Sequence, residues 1–481
     1  MATILFSNGF RVSREPRARA GALAGLLFLT VFSSMACDEP EEEASAVFCA
    51  NQERLALRHA CDITTPACQK AVFAAVKCVN GSKMAIPPIR FITEDEFRKE
   101  LNLDMVSSSD SDTDSTTDTD SLPPIDSNTS TDTDGIDTSA NTDEEAVANS
   151  YWDESLRLLG LLSAASDLSN EQAEEMATSV AAYYSGYYQD VTIIDRPRQG
   201  NPDELMRTLA HEFTHAVQDY EYGLDEQNEL YSYDDDILIA MDNAREGDAV
   251  VRSDLAYSVL MDVPLESLYS RNFYQLQLSY YKRAIASDAS PYIYAAQVLQ
   301  YATGPLLVYD TYIHEGLDGI NELREHFPTS SVYWMAGYDA SRGQNAQSLN
   351  LPLRCGTALP PAEYTLEHRD TFGATVLYAL LASHMNNGIF DVEGQWETAL
   401  KWRGDSIEMF QHVTESKTAL FWRIRMANAN AGAQLETRLK QLLPAALILR
   451  QEDELHIFMA TDATILAPWA GAYQCTAQRG I

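Results

Sequence analysis

Two histidines, His211 and His215, stand four residues apart with a glutamate, Glu212, between them. On a helix this spacing stacks both imidazoles on one face, where they can grip one ion, and zinc is the usual choice for such ligands. Glu212 lies one position round, able to reach a metal-bound water without being a ligand. The ion would acidify that water and polarise a carbonyl, while the carboxylate would take the proton and hand it to a leaving amine. That division of labour suits hydrolysis of a peptide bond. The whole chain holds 9 His, so the spacing seldom arises by chance; the bland alternative is two surface histidines on an amphipathic helix.

The element that must present these residues is well marked. Asn201 suits an N-cap, Pro202 the first helical position and Glu204 the third, and Gly223 suits the stop. Between them Leu205, Leu209, Phe213 and Val217 recur every four residues and set one stripe against a core. Such a site needs a third protein ligand. The next helix, predicted over Ile237–Leu260, carries Ala244-Arg245-Glu246-Gly247-Asp248-Ala249. Glu246 is the candidate, with Gly247 beside it allowing close approach of two helices. Asp242 and Asp248 are alternatives on the same helix, and spacing does not separate them. No third His follows His215 in the metzincin arrangement, which favours a glutamate-type site.

The rest of the chain supplies the setting. Arg11, Arg14, Arg17 and Arg19 precede an apolar run, Gly21–Phe32, too short for a standard membrane span. Ser34-Met35-Ala36-Cys37 resembles the lipobox of bacterial lipoproteins, with Ser34 where Leu is usual. Residues 1–36 are therefore expected to be a lipoprotein-type signal peptide and Cys37 the lipidated residue; simple cleavage near Ala36 is the alternative. Either way the product is exported. Of 7 Cys, those after Cys37 are then even in number and in an oxidising setting. Residues 37–84 read as a Cys-rich helical hairpin around a Thr-Thr-Pro turn, which favours nested bridges Cys49–Cys78 and Cys61–Cys68. Cys355–Cys475 would then pin the C-terminus. The cysteine spacings lack the CxxC of a metal site.

Residues 85–106 begin a further domain with a strand, Pro87–Ile92, and a helix capped by Thr93 and Glu96. Residues 107–146 are a Ser/Thr/Asp-rich acidic stretch that cannot bury enough apolar surface to order itself, and they lack the spacing of an EF-hand loop. Order resumes with a helix through Leu156, Leu159 and Leu162, a second at Ser169–Tyr183, and a hairpin of Tyr183–Tyr188 with Val191–Ile194. Beyond Gly200 the chain is expected to be mainly helical, with amphipathic stretches at Ile237–Met261, Tyr280–Thr303, Thr371–Asn386 and Ala433–Leu442. The formal net charge of −37 excludes nucleic acid as a natural partner. A membrane would be met only through a lipid at Cys37. Arg403-Gly404-Asp405 is read as a chance triplet, not an adhesion motif.

The run Leu209–Tyr220 (Leu-Ala-His-Glu-Phe-Thr-His-Ala-Val-Gln-Asp-Tyr) closely resembles the active-site helix of thermolysin-like gluzincins. The resemblance implies zinc held by His211, His215 and a Glu on the following helix, which supports Glu246, with Glu212 as the catalytic base. The family's Asp one turn later is Val250 here, so Asp219 or Asp248 would instead buttress a ligating histidine. Over most of Ile89–Gln411 the chain resembles a group of uncharacterised, zinc-dependent-type bacterial lipoproteins and secreted proteins. That alignment makes residues 107–146 an insertion inside the catalytic domain. Those proteins carry a Ser-Thr-Glu-Gln-x-x-His-Pro segment; the matching stretch here, Thr329–Tyr338, is shorter and lacks the His. Tyr333, Tyr338, His326 and His384 are then the candidates for steadying a transition-state oxyanion.

The expected fold is α+β and zincin-like: a small β-sheet ahead of a mostly helical active-site region, with an N-terminal disulfide-linked helical hairpin. Residues 147–481 would form the zincin-like catalytic domain and a helical C-terminal part. The expected activity is zinc-dependent hydrolysis of a peptide or protein substrate at the bacterial cell envelope. The rival is a catalytically inactive zincin-fold surface lipoprotein that serves as a binding or structural module, a reading favoured by the missing His-Pro segment.

Overall fold

Apolar spacings of two and of four residues sort the chain into two sheets and the helices that cover them. The computed structural model describes residues 3–4, 59–101, 152–163, 167–196, 201–223, 234–287, 290–339, 352–359, 361–383 and 391–473. Cys37, Cys49, His384, Cys475, the acidic stretch 107–146 and the first arm of the expected hairpin lie outside these residues, as does the signal segment apart from Thr3–Ile4.

The first sheet holds β1 (Thr3–Ile4), β2 (Ile89–Thr93), β3 (Val180–Ser185) and β4 (Asp190–Asp195) in the order β1-β3-β4-β2. β3 and β4 form the antiparallel hairpin that their aromatic and β-branched residues predict. β2 runs parallel to β4, from Ile89 beside Val191 to Thr93 beside Asp195, so the flanks of the acidic stretch share one sheet. Before β2 comes α1 (Pro66–Asn80), capped by Thr65 and stopped by Gly81. After it comes α2 (Glu94–Glu100), where Thr93 and Glu96 make the predicted capping box. Cys61 and Cys68 are bonded as expected. Cys78 and Cys355 are disulfide-bonded too, and their expected partners are outside the described residues.

Some predicted helices have different bounds. α3 (Leu168–Ser179) stops short of Tyr183, because Val180-Ala181-Ala182-Tyr183 already belongs to β3. The helices that follow are α4 (Pro202–Tyr222) and α5 (Asp235–Met261), close to the predicted spans. The stretch Tyr280–Thr303 is not one helix. α6 (Arg271–Ser287) ends, Pro291 restarts the chain, and a π turn at Tyr294–Val298 leads into α7 (Gln300–Glu325), itself broken at Gly316. Proline lacks the N–H that an unbroken helix needs there. α8 (Ser331–Ala336) follows.

The largest correction is at the C-terminal end, which is not a helical part. An antiparallel sheet of order β5-β6-β7-β9-β8 is built from β5 (Tyr364–Asp370), β6 (Trp402–His412), β7 (Thr418–Met426), β8 (Leu447–Gln451) and β9 (Glu454–Ala460). α9 (Gly373–Ser383), α10 (Val392–Ala399) and α11 (Ala429–Leu442) pack with one face, and α12 (Leu466–Ala472) covers the other. Along β7, Leu420, Trp422 and Ile424 enter the main core while Ala419 and Phe421 meet Trp469. With both faces buried the two-residue alternation vanishes, and such a run reads from sequence like a buried helix.

The long helix α5 joins the two halves through buried carboxylates at its N-terminus. Asp235 accepts from Tyr292, Asp236 from the amide of Ser331, and Asp370 from the amide of Asp235. Asp405 accepts four hydrogen bonds, from Phe372 and Gly373 amides and from the indoles of Trp402 and Trp422. It is therefore sealed inside, and the Arg-Gly-Asp triplet displays no acid to a partner. Burial pushes Asp405 up to about 7 and Asp236 up to about 6. Burial, with the neighbouring Asp370 charge, raises Asp235 as well. A raised folded value favours the protonated fold, so this stabilisation is full below the unfolded value of about 3.9 and is lost as pH rises through the folded values. His215 and His368, both raised, act in the same direction. Melting temperature in the presence of a chelator should thus fall between about pH 5 and pH 8. A profile that rises across that window would contradict the assignment.

Candidate metal centre

Helix α4 starts and stops where its sequence dictates. Asn201 accepts from the Glu204 amide at 2.9 Å, the Glu204 carboxylate accepts from the Asn201 amide at 3.3 Å, and Gly223 ends the helix in the left-handed region. Its stripe of Met206, Leu209, Phe213 and Val217 is buried in a core shared with α1, α5 and α7. That packing turns His211 and His215 towards α5. There Glu246 comes to meet them.

His211 Nε2 lies 3.1 Å from Glu246 Oε2, His215 Nε2 lies 3.4 Å from the same oxygen, and the two imidazole nitrogens are 2.9 Å apart. A tetrahedral ion with bonds of about 2.0–2.1 Å holds its donors about 3.3 Å apart, so the triangle fits one small ion. All three residues belong to a group that could hold a metal. Burial would push the Glu246 carboxyl up, but the two imidazoles outweigh it and hold Glu246 well below the ordinary range. Burial alone would lower His215; Glu246 outweighs it and raises that imidazole. Asp242 and Asp248, the alternative ligands, are not members of that group.

The approach of α5 to its neighbours depends on absent side chains. A Cβ on Gly247 would come within 2.5 Å of the Gly304 backbone, and one on Gly304 within 2.3 Å of the Asn243 carbonyl. Asn243 also bonds Ile239 O at 2.7 Å and takes the Thr303 hydroxyl, which ties α5 to α7 one turn from Glu246. Gly247 does what its position beside Glu246 suggested.

The residue that orients His215 is one the sequence reading passed over. His215 Nδ1 lies 2.9 Å from Gln218 Oε1. The Gln218 amide donates to Asp248 at 2.9 Å and to the Arg245 carbonyl at 3.1 Å. With its Nδ1–H donated to Gln218, His215 keeps Nε2 unprotonated towards Glu246 and His211. Asp248 acts through Gln218, not on a histidine directly. Burial would raise Asp248, but Arg252 at 2.5 Å and Arg324 at 3.5 Å hold it low. Asp219 accepts from Tyr184 at 2.8 Å and so ties α4 to β3. Gln218 was visible in principle, since a residue three after His215 shares its face.

Glu212 is fully buried, and neither carboxylate oxygen has a hydrogen-bond partner among the described residues. Of the residues considered for an oxyanion, Tyr333 is buried in α8, Tyr338 donates to Glu315 at 2.7 Å, and His326 caps α7. A second close group, Cys355, Glu454 and His456, is not a metal site of the same kind. Cys355 is in a disulfide, and Glu454 is engaged by His456 at 3.1 Å and by the Arg354 and Cys355 amides at 2.6 and 3.3 Å.

No protein-family model, curated protein or solved structure matches the chain.

If Gln218 sets the His215 tautomer, Gln218→Ala should weaken metal affinity about 10- to 100-fold in a competition titration. Asp219→Asn should have the smaller effect. Unchanged affinity in the Gln218 variant would remove Gln218 from the centre.

Proposed function

We propose that this protein is an exported zinc-dependent metallopeptidase of gluzincin type. The observation that carries the reading is the Glu212 carboxylate, sealed from solvent and unpartnered beside the His211–His215–Glu246 triangle. Leaving a buried carboxylate without hydrogen bonds costs about 1–3 kcal/mol per lost partner, so a fold retains one where it does chemistry. Two neutral imidazoles and one carboxylate form the ligand set of peptidase zinc sites, and three protein ligands leave a fourth position for water.

The ion, when bound, supplies Lewis acidity and makes its water easier to deprotonate. The chain does the rest. Glu246 and the two imidazoles would hold the ion, and Gln218 fixes the face that His215 presents. Glu212 takes the proton from the attacking water and carries it to the leaving nitrogen. Dry surroundings strengthen each of these charges. A peptide substrate also has a place to lie. β3 is tied to α4 through Tyr184 and Asp219, and its edge takes an extended segment, here Thr3–Ile4 of the chain itself, antiparallel beside Ala182 and Val180. Pairing of that kind is how sheet edges accept extended peptides. No helix among the described residues is long and apolar enough to cross a membrane, so attachment to the envelope would rest on a lipid at Cys37.

The test separates metal from chemistry. Wild-type protein should bind one zinc, and His215→Ala should bind markedly less. Glu212→Gln should keep its zinc while casein hydrolysis falls by about 10²-fold or more. An unchanged rate in Glu212→Gln would refute the catalytic role and leave the non-catalytic binding module as the better reading. Equal zinc in wild type and His215→Ala would refute the centre itself.

A further inference from the structure

One turn before Glu246, on the same stripe of α5, a second carboxylate is buried without a proper partner. Asp242 keeps only 9% of its surface, and its Oδ1 has no hydrogen bond among the described residues. Its nearest cation, Arg245, stands 3.7 Å away, at the limit of an ion pair. The same helix shows what a satisfied acid looks like, since Asp248 receives Arg252 at 2.5 Å and Gln218 at 2.9 Å. Burial pushes Asp242 up to about 7, with Arg245 pulling it down and the Glu246 charge pushing the same way as burial. Asp242 is thus a buried carboxylate, one helical turn from Glu246, whose Oδ1 has the long Arg245 ion pair but no hydrogen bond among the described residues.

We propose that Asp242 binds a cationic group of the substrate and so sets the specificity of the site. This rests on the peptidase reading above and deepens it. The positions i and i+4 of a helix face the same way, so a group at Asp242 lies one helical turn, about 5.4 Å, from the ligand carboxylate. That is the span from a scissile bond to the side chain or terminus next to it. An ammonium or guanidinium placed there gives Oδ1 the close, charge-assisted hydrogen bond that Arg245 at 3.7 Å does not supply. A neutral substrate group would leave the carboxyl as it is. An acidic one would meet Asp242, Glu212 and Glu246 together and be repelled. The cation has two sources in a peptide: a Lys or Arg side chain, and a free α-amino terminus.

The experiment compares wild type with Asp242→Asn, which keeps shape and volume, on zinc-loaded protein. Peptides of one backbone carry Lys, norleucine or Glu at each position in turn, with free or acetylated N-termini. The wild type should show kcat/KM at least about 10-fold higher for the cationic peptides, and in Asp242→Asn that ratio should fall to near one. Loss of the preference on acetylation would assign the cation to the terminus; its persistence would assign it to the side chain. Binding of the same peptides to Glu212→Gln protein, followed by fluorescence anisotropy, gives a readout without turnover. A charge preference there that vanishes in Glu212→Gln/Asp242→Asn supports the proposal even if no peptide is cleaved, and only the peptidase reading would then fail. Equal ratios in wild type and Asp242→Asn, or no charge preference in either assay, would overturn it. A drop in zinc content with selectivity intact would also overturn it and make Asp242 a support of the metal.

Discussion

A carboxylate buried between two helices must be met by polar groups of its neighbours, and Glu246 is met by the imidazoles of His211 and His215. The contact joins the middle of α5 to the middle of α4, and much of the structure follows from it. α5 must also lie close against α7, which Gly247 and Gly304 permit. His215 must hold one tautomer, which Gln218, itself held by Asp248, enforces. α5 must bury Asp236, Asp242, Glu246, Asp248, Arg252 and Asp254 in a single helix, a burden that desolvation makes expensive unless each group is met. An ion in the triangle would repay part of that cost, since whatever binds only the folded state stabilises it.

The N-terminal Cys-rich segment is part of this arrangement. Phe73 on α1 packs edge-on against Phe213, inside the His-Glu-x-x-His run, with ring centres 5.1 Å apart. Arg252, which holds Asp248 low, also donates to the Val79 carbonyl at 3.2 Å. The chain from α1 through Arg252, Asp248 and Gln218 ends on His215. The Cys61–Cys68 disulfide fixes the start of α1, and the end of the same helix meets Arg252. β2 and β4, which lie on either side of the acidic stretch in sequence, pair in parallel within one sheet.

What the sequence disclosed and what it concealed divide along a physical line. Local rules were readable: the Asn201 and Thr93 caps, the Gly223 stop, the β3–β4 hairpin, the Cys61–Cys68 bond, and the two histidines four apart. Glu246 could be proposed because it lies on the next helix, where the gluzincin resemblance implies a glutamate, though spacing did not separate it from Asp242 and Asp248. Features that depend on burial on both faces were not readable. β6 and β7 are covered above and below, so their apolar residues run on without alternation and were read as helix. Gln218 carries no charge and matches no ligand pattern, and only the third dimension shows that it spans His215 and Asp248. Asp242 could be named but not placed, because spacing along α5 gives equal access to several acids.

In the proposed function, two imidazoles and a carboxylate would hold one ion and leave its last position to water. X-ray absorption of the zinc-loaded protein tests this most directly. It should show nitrogen and oxygen neighbours at about 2.0–2.1 Å, two of them imidazoles, and no sulfur. A sulfur neighbour at about 2.3 Å, or fewer than two imidazoles, would place the metal elsewhere and contradict the account.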